Sequence, residues 1–567
     1  MFQKLNRKRD LALLAAPLIF LGVFYLLPLV EIARITIARF GSDDLGRAVN
    51  WQVVASSLGF TFYQAVLSTL LTIMLGLPAA WLIGRFTFKG KNTLRIASTL
   101  PFILPTVVVA AGFSALIGPR GWLNLLLMQI LGLTDPPLRI LNSLTAILLA
   151  HVFYNTSIMI RVVGAALSQF DHRLEDAART LGASSWQAFL KITLPNLLPS
   201  ILSAVLLVFL FDFTSFGVVL MLGGPQFTTL EVEIYVQTVQ FLNLPLAGTL
   251  SLIQLFFTML VTLALMRMGD SGFAVPVMPR FQKENMRPLR RVWEKIFAIG
   301  IITVLVLLLV SPVAALFFKS VLVDGSGMRG DGVQGQIFSL RYYFELFTNR
   351  RQSYFYVPPL QALLNSLRFA FISSMVSILL GLLLSYGLRT STRWNRLVEW
   401  LMMFPLGTSA VTLGLGFFVF FFRGTGSARW YPWLIPMVHS LISLPFVLRV
   451  VQPVLRSIPA NIHWAAATLG ASPLNIVRRI DLPILWRSLM TAALYAFTIS
   501  LGEFGATSFL SRPDLPTMPV AIFRYLGLPG SINYGQAMAM AVIILLVCVV
   551  SMLALDQLQY QSFRNKA

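Results

Sequence analysis

Four ionisable side chains interrupt the long apolar runs of this sequence: His151, Asp212, His439 and Glu503. A carboxylate in hydrocarbon costs about 2.5 kcal/mol or more on insertion scales, so each needs a partner or a wet cavity. Two such carboxylates can hold a cation. Bonded instead to Ser, Thr or backbone, they serve packing or gating. Glu503 shifted back by 288 falls at 215, three residues from Asp212 and on nearly the same helix face. His151 and His439 are also 288 apart, each ten residues before an arginine, Arg161 or Arg449. Ten helical residues rise about 15 Å, half the hydrocarbon thickness, which puts both imidazoles near the midplane. There they line a pathway or, more commonly, make an interhelical hydrogen bond. Arg161 and Arg449 then fall at the membrane edge, where a long stem lets the charge reach the headgroups.

The elements that must carry these residues are membrane helices. A mean hydropathy of +0.77, with 57% hydrophobic and 12% charged residues, exceeds what a soluble core requires. Continuous apolar runs near the length of a spanning helix occur six times per half. In the first half they lie at roughly 11–33, 60–84, 96–117, 139–160, 196–221 and 246–266. In the second they lie at roughly 296–318, 366–388, 397–421, 432–448, 484–510 and 535–555. The runs do not alternate apolar with polar, which excludes barrel strands. The first is longer than the apolar core of a signal peptide and lacks a clear cleavage site, so it reads as a retained span. The single cysteine, Cys548, lies in the last run and excludes disulfides.

The net charge of +22 does not indicate nucleic acid. Basic clusters (Lys4 to Arg9, Arg85 to Arg95, Arg280 to Arg291, Arg389 to Arg396) recur on one side of the predicted topology. That is the positive-inside bias, and it predicts cytoplasmic termini. Six spans return the chain to its starting side, so the halves are parallel repeats about an axis along the membrane normal. The expected organisation is a first module over 1–266, a Pro- and Arg-rich cytoplasmic linker over 267–295, and a second module over 296–567. The loop at about 319–361 is expected to cap the vestibule.

One polar segment occurs twice. DAARTLGASSWQAFLKITLP (Asp176–Pro195) and WAAATLGASPLNIVRRIDLP (Trp464–Pro483) share A-A-x3-G-x9-I-x-L-P with no insertion. At the same offset Phe216-Gly217 meets Phe504-Gly505. Ala-Ala followed by Leu-Gly predicts a short helix whose small residues let another protein approach, with Gly182 and Gly470 turning the chain where a side chain would be strained. An amphipathic connector would account for one such loop. Two with equal spacing, within 161–195 and 449–483, point to docking.

This doubled pattern resembles the EAA loop of permease subunits of binding-protein-dependent ABC importers, the type I importers. The resemblance implies an all-α membrane protein of about twelve spans, built as two six-helix repeats in a bacterial or archaeal cytoplasmic membrane. It also implies that the loops dock in clefts of a cytoplasmic ATPase, two copies of it, while an external solute-binding protein delivers substrate. Coupling would fall on Asp176, Ala177, Ala178 and Gly182, and on Trp464, Ala465, Ala466 and Gly470. The family's leading Glu is Asp176 in one copy and Trp464 in the other, which predicts unequal contacts. Fused permeases of this size resemble the thiamine and ferric-iron branches. LLAHVFYNTSIMIRVV (Leu148–Val163) looks more like the thiamine branch, whereas GEFGA (Gly502–Ala506) also resembles molybdate and sulfate permeases.

The sequence has no G-x4-G-K-[ST] phosphate loop and no hydrolytic triad, so ATP hydrolysis is expected of a separate subunit, with no cofactor or metal here. Two other classes stay open at this level. An ion-coupled secondary transporter would need buried charges but no repeated docking loop. A membrane scaffold would need neither.

Overall fold

The computed structural model describes residues 2–38, 49–268, 286–324, 336–347, 359–389, 392–422, 431–512 and 515–564. Among them eleven helices are long and apolar enough to cross a membrane, or twelve with one bent pair counted as a span. The first half supplies Ala12–Ile37, Trp51–Arg85, Thr106–Leu131, Leu144–Gln169, Ser185–Phe213 and Leu244–Arg267. The second supplies Val292–Val321, Pro359–Gly387, the bent pair, Tyr431–Arg456, Pro473–Gly502 and Ser531–Ala554. The chain is therefore an all-α, multi-pass membrane protein.

Small residues set how closely the central helices approach. A Cβ on Gly76 would lie 2.6 Å from Met159, and one on Gly84 would lie 2.7 Å from the Gly164 carbonyl. These contacts join Trp51–Arg85 to Leu144–Gln169. In the second half Gly381 meets Val447 in the same way and joins Pro359–Gly387 to Tyr431–Arg456.

The first span of each half packs on the other half as well as on its own. The helix Phe2–Leu21 lies against Pro359–Gly387, and Val292–Val321 lies against Thr106–Ile117. The exchange is keyed by proline on glycine. A Cβ on Gly112 would meet the Pro312 carbonyl at 3.0 Å, and one on Gly416 would meet the Pro28 Cβ at 3.0 Å.

Four of the expected spans are broken rather than continuous. Residues 96–117 divide between Lys91–Ile103 and Thr106–Ile117 at Leu104-Pro105. A proline disfavours helical backbone in the residue before it, and Leu104 is extended at φ −70°, ψ 137°. Residues 397–421 divide at Thr408-Ser409 with a bend of 94°. Residues 196–221 and 484–510 divide just before Phe216 and Phe504, and short helices Gly217–Leu222 and Gly505–Leu510 follow. Apolar composition runs through all four breaks, so hydropathy could not reveal them.

Other boundaries also move. Leu144–Gln169 runs nine residues past 160 and Tyr431–Arg456 eight past 448, so 161–169 and 449–456 belong to spans and not to the loops. Arg161 is consequently not at a headgroup: it is 2% exposed, with its guanidinium 4.8 Å from the Phe102 ring centroid. Most of the expected linker, 269–285, lies outside the described residues, as do 325–335 and 348–358 of the expected vestibule cap. The described part of that loop forms a hairpin of Leu322–Asp324 with Gln336–Phe338 and packs Tyr342 against Gly535.

Candidate functional site

The breaks before Phe216 and Phe504 build the centre of the molecule. The two phenylalanines occupy equivalent positions in the halves, and their rings stack on one another with centroids 5.4 Å apart at 20°. Each has an equivalent aromatic at its side, Tyr235 at 5.3 Å from Phe216 and Phe523 at 5.4 Å from Phe504. Tyr235 and Phe523 are related by the same offset as the phenylalanines they flank. The four rings form a plug on the pseudo-symmetry axis.

A cavity of about 330 Å³ adjoins this plug, walled by both halves. His151, Asp212, Ser215, Glu231 and Glu503 line it together with Phe102, Tyr154, Phe211, Phe216 and Phe504. Three acidic residues thus line one cavity, and no Lys or Arg does among the described residues. The wall also includes Phe211, Thr498 and Ile499, in the last turns of the helices that end just before the plug rings.

Each half arranges an acid and a serine around its histidine, in opposite order, and His439 Nε2 also has Thr507 Oγ1 at 2.8 Å. His151 Nε2 is 2.7 Å from Ser215 Oγ, and its Nδ1 is 3.3 Å from Asp212 Oδ1. His439 Nε2 is 3.1 Å from Glu503 Oε2, and its Nδ1 is 2.7 Å from Ser500 Oγ. Positions 212 and 500 are equivalent, as are 215 and 503. Acid and alcohol have exchanged places about a fixed imidazole. Among the four candidates, His151, Asp212 and Glu503 meet at the cavity, while His439 stands behind Glu503 and is not on the wall.

Both carboxylates also have local partners. Asp212 Oδ1 accepts from Asn155 Nδ2 at 2.6 Å. Glu503 accepts from the Ala506 and Thr507 backbone N–H groups at 2.7 and 3.0 Å and so caps the helix Gly505–Leu510. Position in the wall and a structural duty therefore coexist. Glu231 is the residue that sequence reading missed. It opens the short helix Leu230–Val239, is 1% exposed, and accepts a hydrogen bond from Gln254. The pairing of two acids in LEVEIYVQ (Leu230–Gln237), within an otherwise apolar stretch, was the available signal.

Far from the cavity, the repeated loops fold alike. Short helices Arg173–Thr180 and Ala460–Thr468 end at Gly182 and Gly470, whose φ values are +91° and +80°. In both, the residue after glycine donates to the second alanine's carbonyl at 3.0 Å, Ala183 to Ala178 and Ala471 to Ala466. That closes the helix as a Schellman turn. Asp176, Ala177, Trp464 and Ala465 are exposed, and Ala178 and Ala466 are half-buried. Leu181 and its equivalent Leu469 are each 88% exposed, an apolar tip on either loop.

Residues 73–322 and 377–565 match the model of the family described as binding-protein-dependent transport system inner membrane component. The chain belongs to this family. It carries the family's module twice, once in each half, and is thus the inner membrane component of an importer of the type I ABC class. Similar proteins include the thiamine transport system permease protein ThiP of Escherichia coli (strain K12), 27% identical across 90% of this chain and 89% of that one. ThiP of Brucella suis biovar 1 is 27% identical over 88% of this chain and 86% of its own. The probable sulfate transport system permease protein cysT of Prototheca wickerhamii is 32% identical, over 35% of this chain and 75% of its own. The family match excludes the secondary-transporter and scaffold classes.

Proposed function

We propose that this permease moves thiamine, delivered by an external binding protein, through the cavity between its halves. A wall with three acidic residues and, among the described residues, no Lys or Arg carries that reading. Carboxylates and aromatic faces attract an organic cation and repel an oxyanion such as sulfate. Whole-chain likeness to two thiamine permeases supports the same solute. Among the described residues no three His, Cys, Asp or Glu side chains converge as metal ligands, which favours an extended organic cation over ferric iron. The test is uptake into vesicles holding the permease with its ATPase and binding protein. Labelled thiamine accumulates with ATP, and unlabelled sulfate in excess does not compete. Competition by sulfate, or by ferric iron alone, would refute the assignment.

The loops ending at Gly182 and Gly470 dock two copies of a cytoplasmic ATPase, through Asp176, Ala177 and Ala178 in one and Trp464, Ala465 and Ala466 in the other. Both termini share that side. In this orientation the Phe216–Phe504 stack closes the outer end of the cavity, because the wall residues Phe211 and Thr498 precede it on helices rising from the loops. Single cysteines test the orientation. Ser184 and Ser472 are unsuitable sites, since their hydroxyls cap short helices by accepting from Gln187 and Asn475. Cysteines at Ser185 and Asn475, both exposed, avoid that loss. Native Cys548 is fully buried and stays silent. An impermeant maleimide labels both sites in inverted vesicles only; labelling from outside intact cells would overturn the orientation.

A further inference from the structure

The two loops are held to the bundle by different chemistry at equivalent positions. In the first half Arg85 ends its helix and grips Glu175 with two bonds, Nη1 to Oε1 at 3.0 Å and Nη2 to Oε2 at 2.6 Å. Thr193, at the foot of the next span, donates to the same carboxylate. Glu175 belongs to the loop helix, so the set ties that helix to the spans on both sides. Burial would raise the Glu175 pKa, but Arg85 and Thr193 outweigh it and hold the group at about 2.

In the second half Arg389 replaces Arg85, His463 replaces Glu175 and Asp481 replaces Thr193. Arg389 Nη2 lies 3.2 Å from His463 Nδ1, and His463 Nε2 lies 2.6 Å from Asp481 Oδ1. Tyr386 donates to the other Asp481 oxygen at 3.0 Å. Arg456 steadies the arginine's base by donating to the Leu388 carbonyl at 3.2 Å. The carboxylate has moved from loop to span, and an imidazole fills the gap.

We infer that Arg389, His463 and Asp481 form the positioning clamp of the second loop, and that this clamp works only with a neutral His463. The inference rests on the reading of these loops as ATPase-docking elements. A guanidinium has donors only, so Nδ1 must present its lone pair to Arg389, and Nε2 must carry the hydrogen given to Asp481. Protonation places a second N–H against the guanidinium, removes one hydrogen bond and sets two like charges side by side. Arg389 faces His463 from the preceding span and Asp481 from the following segment, with Tyr386 on the other Asp481 oxygen. The first loop's carboxylate stays ionised in the same range. His172 beside it (3.8 Å from Glu175) is held below the usual imidazole range, first by burial and then by Arg85. Acid on the cytoplasmic side therefore loosens one loop and spares the other.

Two variants of the full transporter test this in vesicles with the ATPase and binding protein present. His463→Gln keeps an acceptor for Arg389 and a donor for Asp481 but cannot gain a charge. Its uptake should match the parent at about pH 7.5 and exceed it several-fold at about pH 6, inside the interval in which imidazoles change charge. The double exchange His463→Glu, Asp481→Thr rebuilds the first half's clamp and should restore uptake that either single change cuts several-fold. A wild-type pH profile in His463→Gln, with the double exchange no better than the singles, would overturn the clamp. ATPase co-purification separates this from failure of the docking reading. Loop variants at Gly182 and Gly470 that retain the ATPase would refute docking itself, whereas loss there with no rescue by the exchange would refute the clamp alone.

Discussion

Uptake should fall to background in a Gly182→Trp, Gly470→Trp double variant, with membrane insertion and the solute cavity left intact. Both glycines adopt left-handed backbone, at +91° and +80°, which costs an L residue about 1–2 kcal/mol. A Cβ at either position meets nothing within 4 Å, so the added bulk strains no contact of the permease itself. It projects instead beside Leu181 or Leu469, where the ATPase would seat. Asn separates the two effects, because it tolerates the left-handed region and is small. Gly182→Asn should retain most uptake where Gly182→Trp does not. Single Trp changes should differ in severity, since Asp176 stands in one loop and Trp464 in the other. Co-purification of the ATPase provides the direct measurement, and full uptake in the double Trp variant would end the docking reading.

Neutralising two of the three cavity acids, Asp212→Asn with Glu503→Gln, should lower thiamine uptake at least tenfold while leaving ATPase association unchanged. A unit charge about 4 Å from a bound cation is worth about 4 kcal/mol at an effective dielectric of 20, before desolvation offsets part of it. Because Glu503 also caps a helix, loss of uptake alone would not isolate its charge. Ser215→Ala with Ser500→Ala provides the control, since it removes one serine hydroxyl from each histidine and no charge, while Thr507 still faces His439. A loss confined to the acids assigns the effect to electrostatics. Equal losses in both variants would assign these positions to helix architecture, and unchanged uptake would remove the carboxylates from the pathway. Glu231→Gln should behave like the acid variants.

A single numerical offset, the one that carries Gly182 onto Gly470, made much of this protein legible before any coordinates. It pairs the loops, the histidines and the plug phenylalanines, and it also pairs Asp212 with Ser500 and Ser215 with Glu503. The same arithmetic pairs Glu175 with His463, although neither residue belongs to the repeated motif and only their contacts mark them. Arg85 and Arg389 escape the offset altogether. The first half holds a longer stretch between Thr106 and His151 than the second does between Ala410 and His439, and the helix Trp122–Leu131 lies in it. Hydropathy found the spans but passed over their breaks at Leu104, Thr408, Phe216 and Phe504, which backbone sterics and local capping decide. It also misplaced Arg161, whose burial depends on Phe102 from another helix, a contact no local pattern encodes.

The exchanged first helices set an order of events during synthesis. The arm Ala12–Ile37 is made first, yet its partner Pro359–Gly387 begins more than half the chain later. At about 5–20 residues per second the arm waits roughly 20–60 s in the bilayer before that surface exists. Through that interval lipid must cover the Pro28 surface that later meets Gly416, and the first half must leave a place for Val292–Val321 over Gly112. Production of the two halves from separate messages would turn this wait into a search between molecules. A single continuous chain makes it a delay of fixed length.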